Sequence, residues 1–227
     1  IKEELRRTLE RNPYLYKRDW LGERCIPQGV IYSMFDHKKH ILPRLPDDAK
    51  PIEMYFSGDG GLTDATSVSC NLICRTKKGL ALYRVAGWYY DGGNKAMSVQ
   101  ARELAGEFAP YCRNKWGMRE EAWYIDPACK ALRKELELYE IDALKADNNS
   151  HDVRGSTKGI KVGIEYAQNM IQDGHFFLVE DEKYGHLDFI KEIGMYCVDD
   201  HGNPVDAYNH AMDEFRYSIN HFVKQYM

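Results

Sequence analysis

The chain lacks most of the short signals that would assign a chemistry outright. It has no G-x-x-x-x-G-K-[ST] loop, no H-E-x-x-H and no G-x-S-x-G, so it carries no recognisable ATP-binding loop, zinc-protease helix or serine-hydrolase elbow. Nothing in it suggests a flavin or nicotinamide site. No apolar run approaches the roughly 18–20 residues that span a bilayer, and no signal peptide opens the chain, so no membrane partner is expected. The six cysteines (Cys25, Cys70, Cys74, Cys112, Cys129 and Cys197) include no C-x-x-C pair. That argues against a zinc ribbon and for reduced thiols in a cytosolic protein. Repeats and low-complexity tracts are absent too. Net charge is −4, whereas proteins that live by holding nucleic acid are usually basic. Any nucleic-acid contact here must be a local patch.

What is present is enough for one sizeable core: 227 residues, 44% of them apolar, with 16 Tyr. The first residue is Ile1 rather than Met, which points to a fragment of a longer protein. Residues 1–50 are rich in charge and proline and read as a leading arm or linker; residues 51–227 read as the domain proper, starting near Ile52. Met54 to Asp59 predicts a short strand. Val68–Arg75 and Leu80–Tyr90, separated by Thr76-Lys77-Lys78-Gly79, predict an antiparallel hairpin. Ser98 can cap a helix striped by Ala101, Leu104, Ala105, Phe108, Tyr111 and Cys112. Glu121–Asp126 predicts a strand, and Pro127 the first residue of a helix striped by Ala128, Leu132, Leu136 and Tyr139. Ile141–Leu144 and Phe176–Val179 are further β-like runs. Ser156 can cap a helix striped by Ile160, Ile164, Ala167 and Ile171, and a last helix is expected from about Val205 to Val223. Alternating strands and helices after an opening hairpin predict an α/β fold with a mixed sheet.

Four groups of residues could carry chemistry, and each has a plain structural alternative. Asp59, in Gly58-Asp59-Gly60-Gly61, ends the first core strand, where flanking glycines would let a metal and a phosphate come close; Asp-Gly is equally a turn dipeptide. Asp126 closes a strand before Pro127, as a helix cap also would. His210 and Asp213 lie on one face of the last helix with Asp206 and Tyr217, opposite a stripe of Tyr208, Met212, Phe215, Ile219 and Phe222. A solvated polar face would read the same way. Arg154, Lys158 and Lys161 surround a helix start bearing Gly155 and Gly159, which suits phosphate or simply water.

Taken together, these strings resemble a known family. Ser57-Gly58-Asp59-Gly60-Gly61-Leu62-Thr63-Asp64-Ala65-Thr66-Ser67 looks like the first catalytic strand of the nuclease domain of tailed-bacteriophage large terminases. Tyr124-Ile125-Asp126-Pro127-Ala128 looks like its second acidic strand end. Asn209-His210-Ala211-Met212-Asp213-Glu214-Phe215-Arg216-Tyr217 matches the family's N-H-x-x-D-x-x-R-Y helix, the most specific motif of the set. Tyr16–Arg24 and Gly29–Asp36 resemble the segment that joins the ATPase to the nuclease. The resemblance therefore covers nearly the whole chain. It implies a ribonuclease H-like mixed β-sheet flanked by α-helices and a nuclease that cuts double-stranded viral DNA with little sequence preference during genome packaging. It implies two divalent ions, Mg2+ or Mn2+, with Asp59 bridging them, Asp126 and Asp213 completing one shell each, and His210 ordering the nucleophilic water or completing a ligand shell. Arg154, Lys158 and Lys161 are the expected DNA-backbone contacts. The partners implied are double-stranded DNA, the ATPase domain of the same full-length chain, a portal protein and a small terminase subunit, in the host cell cytoplasm. Two other readings stand beside it: another ribonuclease H-like DNA enzyme, such as a junction resolvase, and a non-catalytic DNA-packaging or docking module whose carboxylates are caps and turns.

Overall fold

The computed structural model describes residues 29–61, 64–93, 95–149 and 159–227. The Tyr16–Arg24 leader, Cys25, Leu62, Thr63, Arg154, Gly155, Ser156 and Lys158 lie outside the described residues.

A seven-stranded sheet forms the centre. Its strands are β1 (Ile41–Leu42), β2 (Lys50–Gly60), β3 (Thr66–Thr76), β4 (Gly79–Tyr90), β5 (Trp123–Ile125), β6 (Ala143–Lys145) and β7 (Phe176–Val179), in the order β1-β7-β4-β3-β2-β5-β6. β2, β3 and β4 run antiparallel, while the pairs β2–β5, β5–β6, β4–β7 and β1–β7 are parallel. The β3–β4 turn falls where the sequence puts it, with Thr76 opposite Gly79, whose φ of +117° is open to glycine at little cost. The sheet is mixed, as expected.

Helices cover both faces. On one side lie α2 (Met97–Glu103), continued through a π-helical turn at Leu104–Phe108 into α3 (Ala109–Trp116), together with α4 (Lys130–Glu137). They bury Ala101, Leu104, Phe108, Leu132 and Leu136 against Met54, Phe56 and Leu72. The other face holds α1 (His37–His40), α5 (Gly159–Gln172), α6 (Leu187–Ile193) and α7 (His210–Tyr226). There Ile164, Phe189, Met212, Phe215 and Ile219 pack on Tyr55, Ile73 and Leu82. The period-2 alternation of β2 thus sends Tyr55 to one core and Phe56 to the other, which lets both faces be apolar.

Several local expectations are corrected. Part of the segment read as a leading arm packs into the domain: Tyr32 is buried edge-on against Phe215, and β1 extends the sheet beside β7. The first long helix starts at Met97 with Ala96 as cap, because the amides of Val99 and Gln100 anchor on the Ala96 carbonyl; Ser98 lies within the first turn. The helix after Pro127 starts only at Lys130. Asp126 accepts a hydrogen bond from the Ala128 amide, closing a turn, and Cys129 is non-helical at φ −78°, ψ 55°. Ala128 is accordingly exposed, off the expected stripe, and Tyr139 lies beyond the end of α4. Ile160, also assigned to an apolar stripe, is 41% exposed. The last helix begins at His210 rather than near Val205, since Tyr208 sits at φ +56°, in the left-handed region a helix cannot continue through.

Candidate active site

Asp59 stands near the carboxyl end of β2, in the ladder opposite Ser67. It is therefore a strand residue and not part of a turn. Its flanking glycines serve packing: a Cβ on Gly58 would come 2.7 Å from Ile125 Cδ1, and one on Gly60 would come 2.8 Å from Thr66 Oγ1. Asp126 follows β5, the parallel neighbour of β2, with its amide bonded to the Gly58 carbonyl at 2.9 Å. The two carboxylates thus leave adjacent strands at the same end of the sheet.

Helix α7 brings the third group. It crosses β2 and β3 and is buried on nearly every side, so Glu214, Arg216, Ser218 and Asn220 are buried along with its apolar stripe. A solvated polar face is thereby excluded for most of the helix. Tyr217 donates a short hydrogen bond to Asp126 Oδ2 and lies 3.4 Å from Asp59 Oδ1. His210 Nδ1 lies 3.1 Å from Asp59 Oδ2. Asp213 is turned toward its own helix: Arg216 Nη2 donates to its Oδ1 at 2.8 Å and Asn209 to its Oδ2 at 3.3 Å. Asp206, assigned to the same helical face, precedes the helix and accepts from Asn209. His210 also lines a cavity of about 410 Å³ whose wall includes Asp64, Tyr89, Asp188, Lys191 and Glu192.

The charges in this cluster are uneasy. Burial, with Asp213 and Asp126 nearby, pushes the Asp59 carboxyl up to about 6 against the opposing pull of the His210 hydrogen bond. The Asp59 hydrogen bond in turn raises His210 against its own desolvation. Burial, with Asp59 and Asp213 next, pushes the Tyr217 phenol far up, so it stays a donor.

A buried polar layer beneath the site ties helix to sheet. Glu214 is 0% exposed and accepts from Ser57 at 2.9 Å, Ser67 at 3.3 Å, Arg84 Nη2 at 3.0 Å, and Ser69. Arg84 fits because residue 87 is glycine; a Cβ there would come 2.5 Å from Nη1. His186 receives that Nη1 at its Nδ1, at 2.6 Å, and its Nε2 lies 2.8 Å from the Val179 carbonyl. Burial and then Arg84 push the His186 pKa down to about 3, so the ring is neutral. Glu192, also buried, accepts the Ala211 amide at 2.7 Å and so caps α7 at its N-terminus.

The donor chemistry suits a hard divalent ion: carboxylates that repel one another, with an imidazole beside them. Yet among the described residues no three His, Cys, Asp or Glu side chains are gathered tightly enough to hold one. The reason is visible in the hydrogen bonds. Tyr217 and Arg216 occupy carboxylate oxygens that an ion would take, and Asp213 faces Arg216. Of the expected cations, Lys161 is exposed on α5 and lines a separate groove with Gly29, Val30, Ser33 and Met34. Sequence reasoning missed Glu214, Arg84, His186 and Glu192. The polar run Ser67, Ser69 and Asn71, on alternate positions of an otherwise apolar strand, was the available signal.

This sheet order, with two carboxylates at the ends of adjacent parallel strands and a long helix crossing them, is a ribonuclease H-like fold, and it is the fold of large terminase nuclease domains. The large terminase of a thermophilic bacteriophage superposes with a TM-score of 0.64 at 22% identity, covering 98% of this chain and 53% of that one. The P22 large terminase nuclease domain gives 0.58 at 14% identity, covering 86% and 92%. The large terminase nuclease of the thermophilic phage G20c with bound magnesium gives 0.50 at 13%, covering 85% and 97%. The chain spans about half the length of the first of these terminases. No family model and no curated protein matches the sequence. Among the described residues, no helix is long and apolar enough to cross a membrane.

Proposed function

We propose that this domain is a metal-dependent endonuclease that cuts double-stranded viral DNA with little sequence preference during genome packaging. The observation that carries this reading is the hydrogen-bonded group of Asp59, Asp126, Tyr217 and His210 at the carboxyl ends of β2 and β5, on a fold shared with terminase nucleases.

Two Mg2+ or Mn2+ ions held by Asp59, Asp126 and Asp213 would supply the Lewis acidity and positive charge that phosphodiester hydrolysis needs. The chain's own residues do the rest. Asp59 fixes the His210 ring through Nδ1, leaving Nε2 to orient a water and accept its proton. Tyr217 restrains Asp126 and Asp59 from one side. Arg216 and Asn209 restrain Asp213, so binding an ion there requires that carboxylate to loosen its hold on Arg216. Double-stranded DNA, an ATPase domain in the same full-length chain, a portal protein and a small terminase subunit are the partners in this reading, and the host cytoplasm the place. Arg154, Lys158 and Lys161 remain the cations assigned to DNA from the sequence.

Plasmid cleavage with Mn2+, with Mg2+ and with EDTA tests the proposal. Nicking and linearisation that need metal support it. Cleavage undiminished by EDTA removes the metal mechanism, and no cleavage with either ion favours the docking-module reading. Strong preference for branched over linear duplex would move the assignment to a junction resolvase.

A further inference from the structure

The substrate of such a site is a polyanion, while the chain is acidic overall and its catalytic cluster is anionic. Backbone phosphates therefore need cations placed beside the aspartates rather than a basic surface at large.

A small pocket of about 80 Å³ opens beside Tyr217, lined in part by Tyr124, Lys145, Asp147 and Lys224. Tyr217 is the residue whose hydroxyl meets Asp59 and Asp126, so this pocket adjoins the site directly. The sheet explains where Lys145 comes from. Lys145 ends β6 in register with Ile125, the residue before Asp126, and Ile125 is in register with Gly58, the residue before Asp59. Lys145 thus stands at the same end of three parallel strands as the two aspartates, one register position short of them. Lys224 follows Tyr217 by seven residues, two turns along the same face of α7.

The two lysines come from different elements, and those elements are fastened together. Arg216 Nη1 donates to the Asn148 carbonyl at 2.6 Å, and Asn220 Nδ2 donates to the Asp147 carbonyl at 2.6 Å. Both bonds clamp the segment leaving β6 onto α7. Arg216 makes its bond with the same guanidinium that holds Asp213. Among the described residues neither Lys145 nor Lys224 is held in an ion pair, and both are exposed. Asp147, the one carboxylate lining the pocket among the described residues, accepts from the Asn149 amide at 3.2 Å.

We infer that Lys145 and Lys224 form a phosphate pocket that grips the DNA backbone next to the phosphate being cut. The inference rests on the nuclease reading and names where its substrate strand runs: over the β5–β6 edge and the far end of α7, on the Tyr217 side of the site. Phosphate contacts position a duplex without reading its sequence, which suits an enzyme with little sequence preference.

The test is binding of a short labelled duplex by fluorescence anisotropy across a NaCl series, with Ca2+ in place of Mg2+ or Mn2+. In Lys145→Ala/Lys224→Ala the slope of log affinity against log salt should become shallower by about 0.9 for each lysine removed. Lys145→Arg/Lys224→Arg should keep the wild-type slope, and Lys78→Ala, in the exposed β3–β4 turn at the opposite end of the sheet, should keep it too. A double alanine variant with the wild-type slope overturns the pocket, as does an equal loss in Lys78→Ala. A wild type with no salt-dependent duplex binding overturns the nuclease reading and the pocket with it, whereas wild-type binding left unchanged by the double substitution removes the pocket alone.

Discussion

Glu214, the residue after Asp213, accepts a hydrogen bond at 2.9 Å from Ser57, two residues before Asp59. A buried glutamate thereby fixes the register of helix α7 on strand β2, and with it the spacing of His210, Asp213 and Tyr217 from Asp59. Glu214→Ala would strand the Arg84 guanidinium and three serine hydroxyls in the core. Breaking a buried charged pair from one side costs about 3–5 kcal/mol, so this variant should melt far below wild type. Glu214→Gln keeps the length and an accepting oxygen and should melt between the two. Thermal melts of the three proteins decide it; an alanine variant as stable as wild type would mean the network is not holding the helix.

Removal of any one proposed ligand should end cleavage while the fold remains. Asp59→Ala, Asp126→Ala and Asp213→Ala are expected to lose metal-dependent plasmid cleavage altogether. His210→Ala should retain a slow residue of activity, since solvent can partly replace a water-ordering group. Asp126→Asn is the cleaner probe at its position, because Asp126 also closes the turn at Ala128 and its loss as alanine costs about 1 kcal/mol in its own right. A folded aspartate variant that cuts at the wild-type rate would show that residue to be misassigned.

Asp59 gives the metal-free protein a definite pH dependence. Its folded pKa of about 6 lies above its ordinary value of 3.8. A raised acid binds its proton more tightly in the folded state, so its contribution is fully present below pH 3.8 and is lost as pH rises through about 6. The whole excursion is worth about 3 kcal/mol. His210, raised by the same contact, is shifted in the same sense. Melting temperatures in EDTA from pH 4 to pH 8 should fall more steeply for wild type than for Asp59→Asn, which should be the more stable of the two near pH 8. Parallel curves would show that Asp59 does not titrate in this range.

Asp213 should behave oppositely. Crowding of three carboxylates, as read from the sequence, would make Asp213→Asn neutral or stabilising without metal. The structure instead pairs Asp213 with Arg216, which is itself buried. Losing that partner leaves a buried cation short of charge, so Asp213→Asn is expected to melt lower in EDTA by roughly 1–3 kcal/mol. Mn2+ should raise the melting temperature of wild type, since an ion that binds only the folded form stabilises it. It should raise that of Asp213→Asn by less. Equal shifts in both proteins would take Asp213 out of the ligand set.

Much of the sheet was legible. Val68–Arg75 and Leu80–Tyr90 carry β-branched and aromatic residues around a short polar turn, and Phe176–Val179 is observed as read. The mixed sheet followed from the order of elements. The residues before Ile52 were misread because charge and proline mask a few apolar anchors, such as Tyr32, whose burial depends on Phe215 far along the chain. Helix starts were misjudged at Ser98, where the helix opens on the Ala96 carbonyl, and at Pro127, where the Asp126 side chain closes a turn ahead of the helix. The aspartates could be singled out one by one, but their convergence needs three separate segments to meet. Glu214 was invisible for a different reason. An acid in a helix reads as solvent-facing until its serine partners, more than 140 positions away, are seen to surround it.

The burial of α7 on nearly all sides also sets an order of events in the making of this protein. The first two aspartates are synthesised by position 126, yet His210, Asp213 and Tyr217 arrive together on the segment that wedges between the remaining helices and the sheet. A chain halted on the ribosome before residue 210 has strand ends but no centre. On the nuclease reading proposed above, cutting power would appear in a single late step, and a truncated translation product of this domain would be harmless to the DNA around it.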